Sequence, residues 1–324
     1  MGRKKISFEG IGELPFEWEE DVPPVRHDVY QHIRIPEKET KTVVSDGLLY
    51  YISFGSGSSG NSCYIGTTNG GVIIDAGIRA DEIEKKIRAN GIDMKKVLGV
   101  LLTHDHSDHV KYAYTLVRNN RHMKVYCTNR VLNSILRRHD ISKRIKDYHH
   151  PIFKEMPFKV GELEITAFEV PHDGADNMGF SLNFQGRNFV LATDLGSVMP
   201  RARHYMSQAD YLVIESNYDL RMLQAGRYPE FLKARIQTSY GHMDNEATAL
   251  FLKEIYNDRL KHIFLCHLSK DNNTPEKAHE KIMRALTEAG ARVGQGMETL
   301  EDRSADVQLT ILPRYESTRL YVFR

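Results

Sequence analysis

From His104 to His109 the chain reads HDHSDH, three histidines and two aspartates in six residues, directly after the apolar run Val97–Leu102. A buried strand that ends at Thr103 and releases His104, His106, Asp108 and His109 into a loop presents imidazoles and carboxylates together at one strand terminus, an arrangement suited to a metal ion. Imidazole with carboxylate suits zinc and related divalent ions. No cysteine lies nearby to close a structural thiolate site, so the chemistry expected is catalytic. Further along, His172 in EVPHDG, Asp194 in LATDLG and His267 in LCHLSKDNN each follow an apolar strand pattern of their own. One such residue at a strand end is ordinarily a cap or a turn; ligands gathered from several strand ends are how a layered α/β body assembles a metal site.

The elements that must position these side chains are legible as alternating patterns. LLYYISF, CYIG and GVIID read as strands around a GSGSSGNS loop, and Asp75 closes the third of them. An amphipathic helix is expected from Arg79 to Asn90, with Gly91 just past its end. Helical spacing follows over Ser107 to Arg118 and Asn129 to Arg138, with the strand KVYC between them. From Leu163 four strands succeed one another, LEITAFEV, GFSLNF, RNFVLAT and YLVIES, whose polar ends His172, Asn183, Asp194 and Glu215 are each expected to reach a site. Helices are expected at Met222 to Arg235, Asn245 to Tyr256 and Pro275 to Ala289, with Gly290 closing the last. HIFLCHL delivers His267, and VQLTIL and RLYVF read as paired terminal strands. This alternation argues for an α/β layered body in one domain, residues 47–324. Residues 1–46, rich in charge and proline and lacking either period, are expected to be an extension outside it.

Composition narrows the function classes. Lys+Arg of 44 against Asp+Glu of 43 gives a net charge of +1, so nucleic-acid binding would have to rest on a local patch. Arg137 to His150, RRHDISKRIKDYHH, is the one clearly basic stretch, readable as a solvated face or as a phosphate contact. Cys63, Cys127 and Cys266 are widely spaced, which suits buried free thiols in a reducing compartment. The beginning of the chain lacks an apolar signal core, and no apolar run reaches membrane-spanning length. A soluble, cytoplasmic protein with no membrane partner is expected; nothing here specifies an oligomeric state.

HDHSDH, preceded by Asp75 and followed in order by His172, Asp194 and His267, resembles the metallo-β-lactamase superfamily, whose fold is a four-layered αββα sandwich with a two-metal site between its sheets. FGSGSSGNS, IESNYD, YGHMDN and HLSKDNN together resemble the YycJ/WalJ-type phosphodiesterases within it, relatives of RNase Z, over roughly residues 47–324. The resemblance implies that His104, His106 and His172 bind one metal, that Asp108, His109 and His267 bind a second, and that Asp194 bridges them. Asp75 would orient a ligand imidazole. Histidine at 106, where flavodiiron relatives carry an acid, implies a hydrolase with two divalent ions, zinc first and manganese as the alternative. About seventy residues separate Asp194 from His267, too few for the inserted β-CASP domain of RNase J-like nucleases. No glycine-proline-rich arm of the kind RNase Z uses on transfer RNA is present.

Two adjacent divalent ions can hold a bridging hydroxide at neutral pH and stabilise charge on an attacked phosphorus, with Asp108 or Asp194 positioning the nucleophile. A phosphodiester also needs a proton for its departing alkoxide. The resemblance implies that Glu215 and His242 supply it as a pair; the alternative is that Glu215 caps a turn and His242 merely precedes a helix capped by Asp244. The GSGSSGNS loop either turns backbone N–H groups to an anion or is a plain hairpin loop. Asn61, Ser269, Asn272 and Asn273 are candidates for substrate contact at the rim. The function expected is a metal-dependent phosphodiesterase acting on nucleic acid, DNA by resemblance. The competing readings are a small-molecule hydrolase, such as a glyoxalase II-like thioesterase or a cyclic-phosphate esterase, and a binding subunit that has lost its metals.

Overall fold

The computed structural model describes residues 45–295 and 304–324. Most of the leading extension, through residue 44, therefore lies outside the described residues. Strands β1 (Leu49–Gly55), β2 (Ser62–Thr67), β3 (Gly70–Ile74), β4 (Val97–Leu101), β5 (Lys124–Cys127) and β6 (His149–Pro151) belong to one sheet. The second holds β7 (Phe158–Val160), β8 (Leu163–Glu169), β9 (Met178–Phe184), β10 (Arg187–Ala192), β11 (Tyr211–Glu215), β12 (His262–Cys266), β13 (Val293–Gln295) and β14 (Val307–Ile311). The last strand, β15 (Tyr321–Phe323), returns to the first sheet, whose order is β15-β1-β2-β3-β4-β5-β6. The second sheet runs β13-β14-β12-β11-β10-β9-β8-β7.

The central strands are apolar on both faces, because both faces are covered. Phe189, Leu191, Tyr211, Val213, Phe264 and Cys266 point into a core shared with the first sheet. Their alternates Val190, Ala192, Leu212, Ile214, Ile263 and Leu265 form a second core, as the period of two requires. At the centre of the shared core the Tyr51 ring lies 4.9 Å from Phe189 and 4.8 Å from Phe264. Each such buried large side chain stabilises the fold by about 1.5–3 kcal/mol.

Helices α1 (Ala80–Ala89), α2 (Ser107–Val110), α3 (Ala113–Asn119) and α4 (Asn129–Arg138) accompany the first sheet. The second is accompanied by α5 (Pro200–Met206), α6 (Leu220–Ala225), α7 (Glu230–Ile236), α8 (Asn245–Ile255) and α9 (Pro275–Glu288). Buried residues of α1, α3 and α4 join the shared core, and those of α5, α8 and α9 join the second core. The result is the expected αββα order of layers. The three cysteines are free and buried; burial pushes the Cys127 thiol up to about 12. Among the described residues no helix is long and apolar enough to cross a membrane.

Two expected helices are each broken in two. Ser107 to Arg118 divides at Lys111 and Tyr112, where the Tyr112 N–H donates to Ala76 O at 2.9 Å and docks the segment on the end of β3. Met222 to Arg235 divides around Pro229, whose ring lacks the N–H a continuous helix would need.

Strand direction decides which loops meet. β3 and β4 run parallel, as do β10, β11 and β12. β8 and β10 each pair antiparallel with β9 and so share one direction. The C-terminal ends of β3 and β4, and likewise those of β8, β10, β11 and β12, are therefore gathered at one edge of their sheet, where ligands collect in open α/β sheets. β9 runs the other way, which corrects the expectation for Asn183. Its amide sits at the opposite pole, bonded to Asn188 Oδ1 at 2.7 Å beside the Gln185–Gly186 turn.

Candidate metal centre

Asp75, Asp194 and His267 each follow the last residue or two of a strand, and each adopts a left-handed backbone, with φ of 58°, 49° and 54°. Such conformations are uncommon for residues other than glycine and cluster where a side chain must be aimed. Here they turn three site residues out of their strands toward a common point.

The HDHSDH loop is clamped to that point. Asp75 accepts from Thr103 N and Thr103 Oγ1, both at 2.8 Å, and from His109 Nδ1 at 2.7 Å. Because the Thr103 hydroxyl gives its hydrogen to Asp75, it accepts from His104 Nδ1 at 3.0 Å. His172 Nδ1 donates to Gly241 O at 3.0 Å, and His267 Nδ1 donates to Glu215 Oε1 at 2.7 Å. Four imidazoles thus spend Nδ1–H on protein acceptors and turn a bare Nε2 inward, the arrangement a metal-binding histidine needs.

These ligand atoms converge. His104, His106 and His172 form one group, His104, His109 and Asp194 a second, and Asp194, Glu215, His242 and His267 a third; within each group the atoms lie within 4.8 Å of one another. Asp108 stands beside them, its Oδ2 3.6 Å from His109 Nε2 and 4.0 Å from His267 Nε2.

A cation fits this arrangement. His104 Nε2 and His267 Nε2 are buried polar atoms with no hydrogen-bond partner, a condition that costs roughly 1–3 kcal/mol each, while Asp194 Oδ1 stands 2.5 Å from His267 Nδ1. His109 Nε2 faces Asp194 Oδ2 at 2.6 Å, and with Nδ1–H given to Asp75 these are two acceptors that only a shared positive charge reconciles. The titration of the ring nitrogens carries the same message. Burial opposes a charge on His109 and His267, yet Asp194 with Asp75, and Asp194 with Glu215, outweigh it and push them up, His267 to about 10. Burial and neighbouring imidazoles instead push His104 and His106 down. Asp194 is held well below the usual carboxylate range despite its burial, chiefly by His267 and His109.

Glu215 is fully buried and occupied on both oxygens. Oε1 accepts from His242 Nδ1 at 2.8 Å and from His267 Nδ1, while Oε2 accepts from Leu195 N at 3.1 Å and Met243 N at 3.3 Å. Glu215 therefore braces the backbone and holds the His242 ring at once. Asp244 caps α8, accepting from Glu246 N and Ala247 N. His242 opens onto a cleft of about 190 Å³, also lined by Ser58, Asp173, Tyr228, Arg235 and Ser269.

The rim expectations divide. Ser269 lines that cleft. Asn61, Asn272 and Asn273 are buried instead. The Asn61 amide bonds Gly57 O, Asp108 Oδ2 and His109 Nε2 at 3.0–3.2 Å, so it steadies two candidate ligands. Asn273 donates to Ser216 O and Asn217 O at 2.9 and 3.0 Å, stitching two loops together, and Asn272 N turns to Ser269 Oγ. In the GSGSSGNS loop, Ser56 Oγ accepts from His267 N at 2.9 Å, fixing that residue's backbone.

Some contributors were not read from the sequence. Asp173 Oδ1 lies 3.4 Å from both His106 and His172, and its carboxylate pairs with Arg235. Asp105 points away from the ligands and accepts from Ser134 Oγ at 2.6 Å, Arg138 Nη1 at 3.1 Å and Ala175 N at 2.8 Å, tying α4 to the site. Its place inside HDHSDH was a signal; its direction was not.

Comparison with known proteins places this geometry. The family model for the β-lactamase superfamily domain matches residues 71–267. Exodeoxyribonuclease YycJ of Bacillus anthracis is 36% identical over 251 residues, covering 77% of this chain and 94% of that protein. Exodeoxyribonuclease WalJ of Streptococcus pneumoniae is 32% identical over 245 residues, covering 75% of this chain and 90% of that one. The crystal structure of the metallo-β-lactamase fold protein YhfI from Bacillus subtilis aligns over 85% of this chain and 99% of its own with a TM-score of 0.59, at 13% identity a likeness of fold.

Proposed function

This chain belongs to the β-lactamase superfamily, and from that premise we propose that it is a divalent-metal-dependent phosphodiesterase that degrades DNA as an exonuclease. The observation that carries the reading is the Glu215–His242 pair, joined at 2.8 Å, standing against the ligand cluster and open to a cleft. The YycJ and WalJ relatives, named as exodeoxyribonucleases, supply the class of substrate.

In this reading His104, His106 and His172 would hold one ion and Asp108, His109 and His267 a second, with Asp194 serving both. Zinc fits this donor set, and manganese is the alternative. Divalent ions bound there supply a nucleophile at neutral pH and neutralise charge developing on the attacked phosphorus. The chain's own residues do the rest. Asp75 fixes the His109 ring, and Glu215 fixes the His267 and His242 rings. Since His242 gives Nδ1–H to Glu215, its Nε2 is the atom left to protonate the departing alkoxide. Burial works against a proton on His242, but Glu215 outweighs it and raises the ring above its ordinary range.

The test compares two leaving groups. His242→Ala should slow degradation of end-labelled DNA by about 10²–10⁴-fold, and should leave hydrolysis of bis-p-nitrophenyl phosphate, whose leaving group needs no proton, close to wild type. His106→Ala should abolish both. DNA left intact with zinc and with manganese, while a thioester or a small phosphodiester is cleaved, overturns the nuclease reading.

A further inference from the structure

The chain is nearly neutral, so a polyanionic substrate must be met by a local concentration of positive charge. One lies beside the metal centre. Arg130, Arg137, Lys143 and Lys146, from α4 and the 3-10 turn that follows it, line an open groove of about 620 Å³ together with Ala175. All four cations are exposed, and among the described residues none has an ion-pair partner. Most nearby carboxylates are already engaged, Asp105 by Ser134 and Arg138, Asp176 by Thr128 and Lys154, Asp147 by Arg144; Asp140, exposed, offsets one of the four charges. An excess of positive charge is left facing solvent.

This groove adjoins the site. Ala175, on its wall, donates its N–H to Asp105, which in turn lines a cleft of about 360 Å³ with His106, Asp108, Arg138 and Arg235. The Asp105 carboxylate therefore separates a basic groove from the ligand cluster by one side chain. Along α4, Arg130 and Arg137 lie on one face, seven residues or about 10 Å apart.

From these observations we infer that the groove beside α4 holds the backbone phosphates of the substrate strand on the side away from the scissile bond, so that Arg137, Lys143 and Lys146 set affinity for a polynucleotide without touching the chemistry. The inference rests on the nuclease reading above. It assigns contacts that are electrostatic and indifferent to sequence, because long exposed cations aimed at phosphates carry no base information.

The test is the triple variant Arg137→Gln/Lys143→Gln/Lys146→Gln. Its control, Lys95→Gln/Lys124→Gln/Lys159→Gln, makes the same charge change near strand starts, away from the strand ends that gather the ligands. For a 5′-labelled single-stranded DNA, the groove variant should raise KM about tenfold or more with kcat unchanged. Its dependence of log KM on log salt should be shallower by about two, since each phosphate contact on a single strand contributes about 0.7. Hydrolysis of bis-p-nitrophenyl phosphate should match wild type in both variants. If wild type degrades DNA and the groove variant does so with the same KM and salt slope, or if the control is equally impaired, the groove assignment is wrong and the nuclease reading stands. If wild type cleaves the small diester but neither binds nor degrades DNA, the nuclease reading falls and takes the groove with it.

Discussion

Adding one methyl group at Gly77 tests how the metal centre is held. Gly77 follows Asp75 by two residues, and the HDHSDH loop rests directly on it. An alanine Cβ placed there would overlap the Asp108 carbonyl oxygen by more than an ångström and would stand 2.8 Å from Asn61 N. Ordinary carbon–oxygen approaches are about 3.3–3.6 Å, and because the obstacle is backbone no rotamer change relieves it. The loop has to retreat by more than 1 Å, and with it go the bonds Asn61 N to Asp108 O at 2.8 Å and Ala76 N to His109 O at 2.6 Å. Losing both costs about 1–3 kcal/mol. Displacing catalytic groups by about 1 Å costs about 10²-fold in rate. Gly290→Ala serves as the control, since its Cβ would meet nothing within 4 Å and only the backbone penalty at φ 93° remains. The assays are metal content after dialysis, unfolding in urea, and kcat on end-labelled DNA. Gly77→Ala should fold less stably, retain less than the wild-type complement of metal and lose about two orders of magnitude in kcat. Gly290→Ala should lose stability alone. A Gly77→Ala protein with full metal content and wild-type kcat would refute the clamping argument.

Asp75→Asn keeps a residue type that tolerates the left-handed backbone at φ 58° but cannot accept all three hydrogens, from Thr103 N, Thr103 Oγ1 and His109 Nδ1, because its NH2 must face one of these donors. Metal affinity, measured by competition with a chelating dye, should fall about 10–100-fold, and an unchanged affinity would remove Asp75 from the centre. His262 is buried, stacked on Phe264 at 4.0 Å, and bonded to Thr310 Oγ1 at 2.8 Å; burial, aided by Arg319, pushes it down to about 3. Its unfolded value is about 6.5, so below that pH the unfolded chain binds a proton that the native state refuses, and the stabilising contribution is lost as pH falls from about 6.5 toward 3. At pH 5 this amounts to about 2 kcal/mol. The loss of stability between pH 7.5 and pH 5 in urea titrations should be smaller in His262→Gln by that amount, and equal losses in the two proteins would contradict it.

The candidate ligands were legible because each stands at the end of an apolar run, and apolar runs are the most readable feature of a layered α/β chain. His104, His172, Asp194 and His267 needed only that each run be a strand and that the strands share a direction. The second condition is invisible locally, and it failed at Asn183: β9 is as apolar as its neighbours but runs antiparallel to both. Asn61 and Asn273 misled for a related reason. Polar residues in loops near a site look alike in sequence whether they face solvent or bracket a backbone, and the difference lies in partners that stand 48 or 57 positions away. Asp105 shows the same limit within a single motif, since five of the six residues of HDHSDH are chemically suited to a ligand role and only the path of the loop turns this one toward α4.

Glu215 shows how the two halves of the site are coupled. Its Oε1 is shared by His267, a ligand candidate, and His242, the proposed proton donor. Any shift of the His267 ring therefore alters the acceptor on which His242 depends. In the proposed reaction, one buried carboxylate bonded to both rings would keep the attacking and departing ends in fixed relation. A Glu215→Gln change would weaken both at once, whereas His242→Ala touches only the departing end. This shared carboxylate explains why a strand end supplies Glu215: its neighbours β10 and β12 run parallel to β11 and deliver Asp194 and His267 on either side of it.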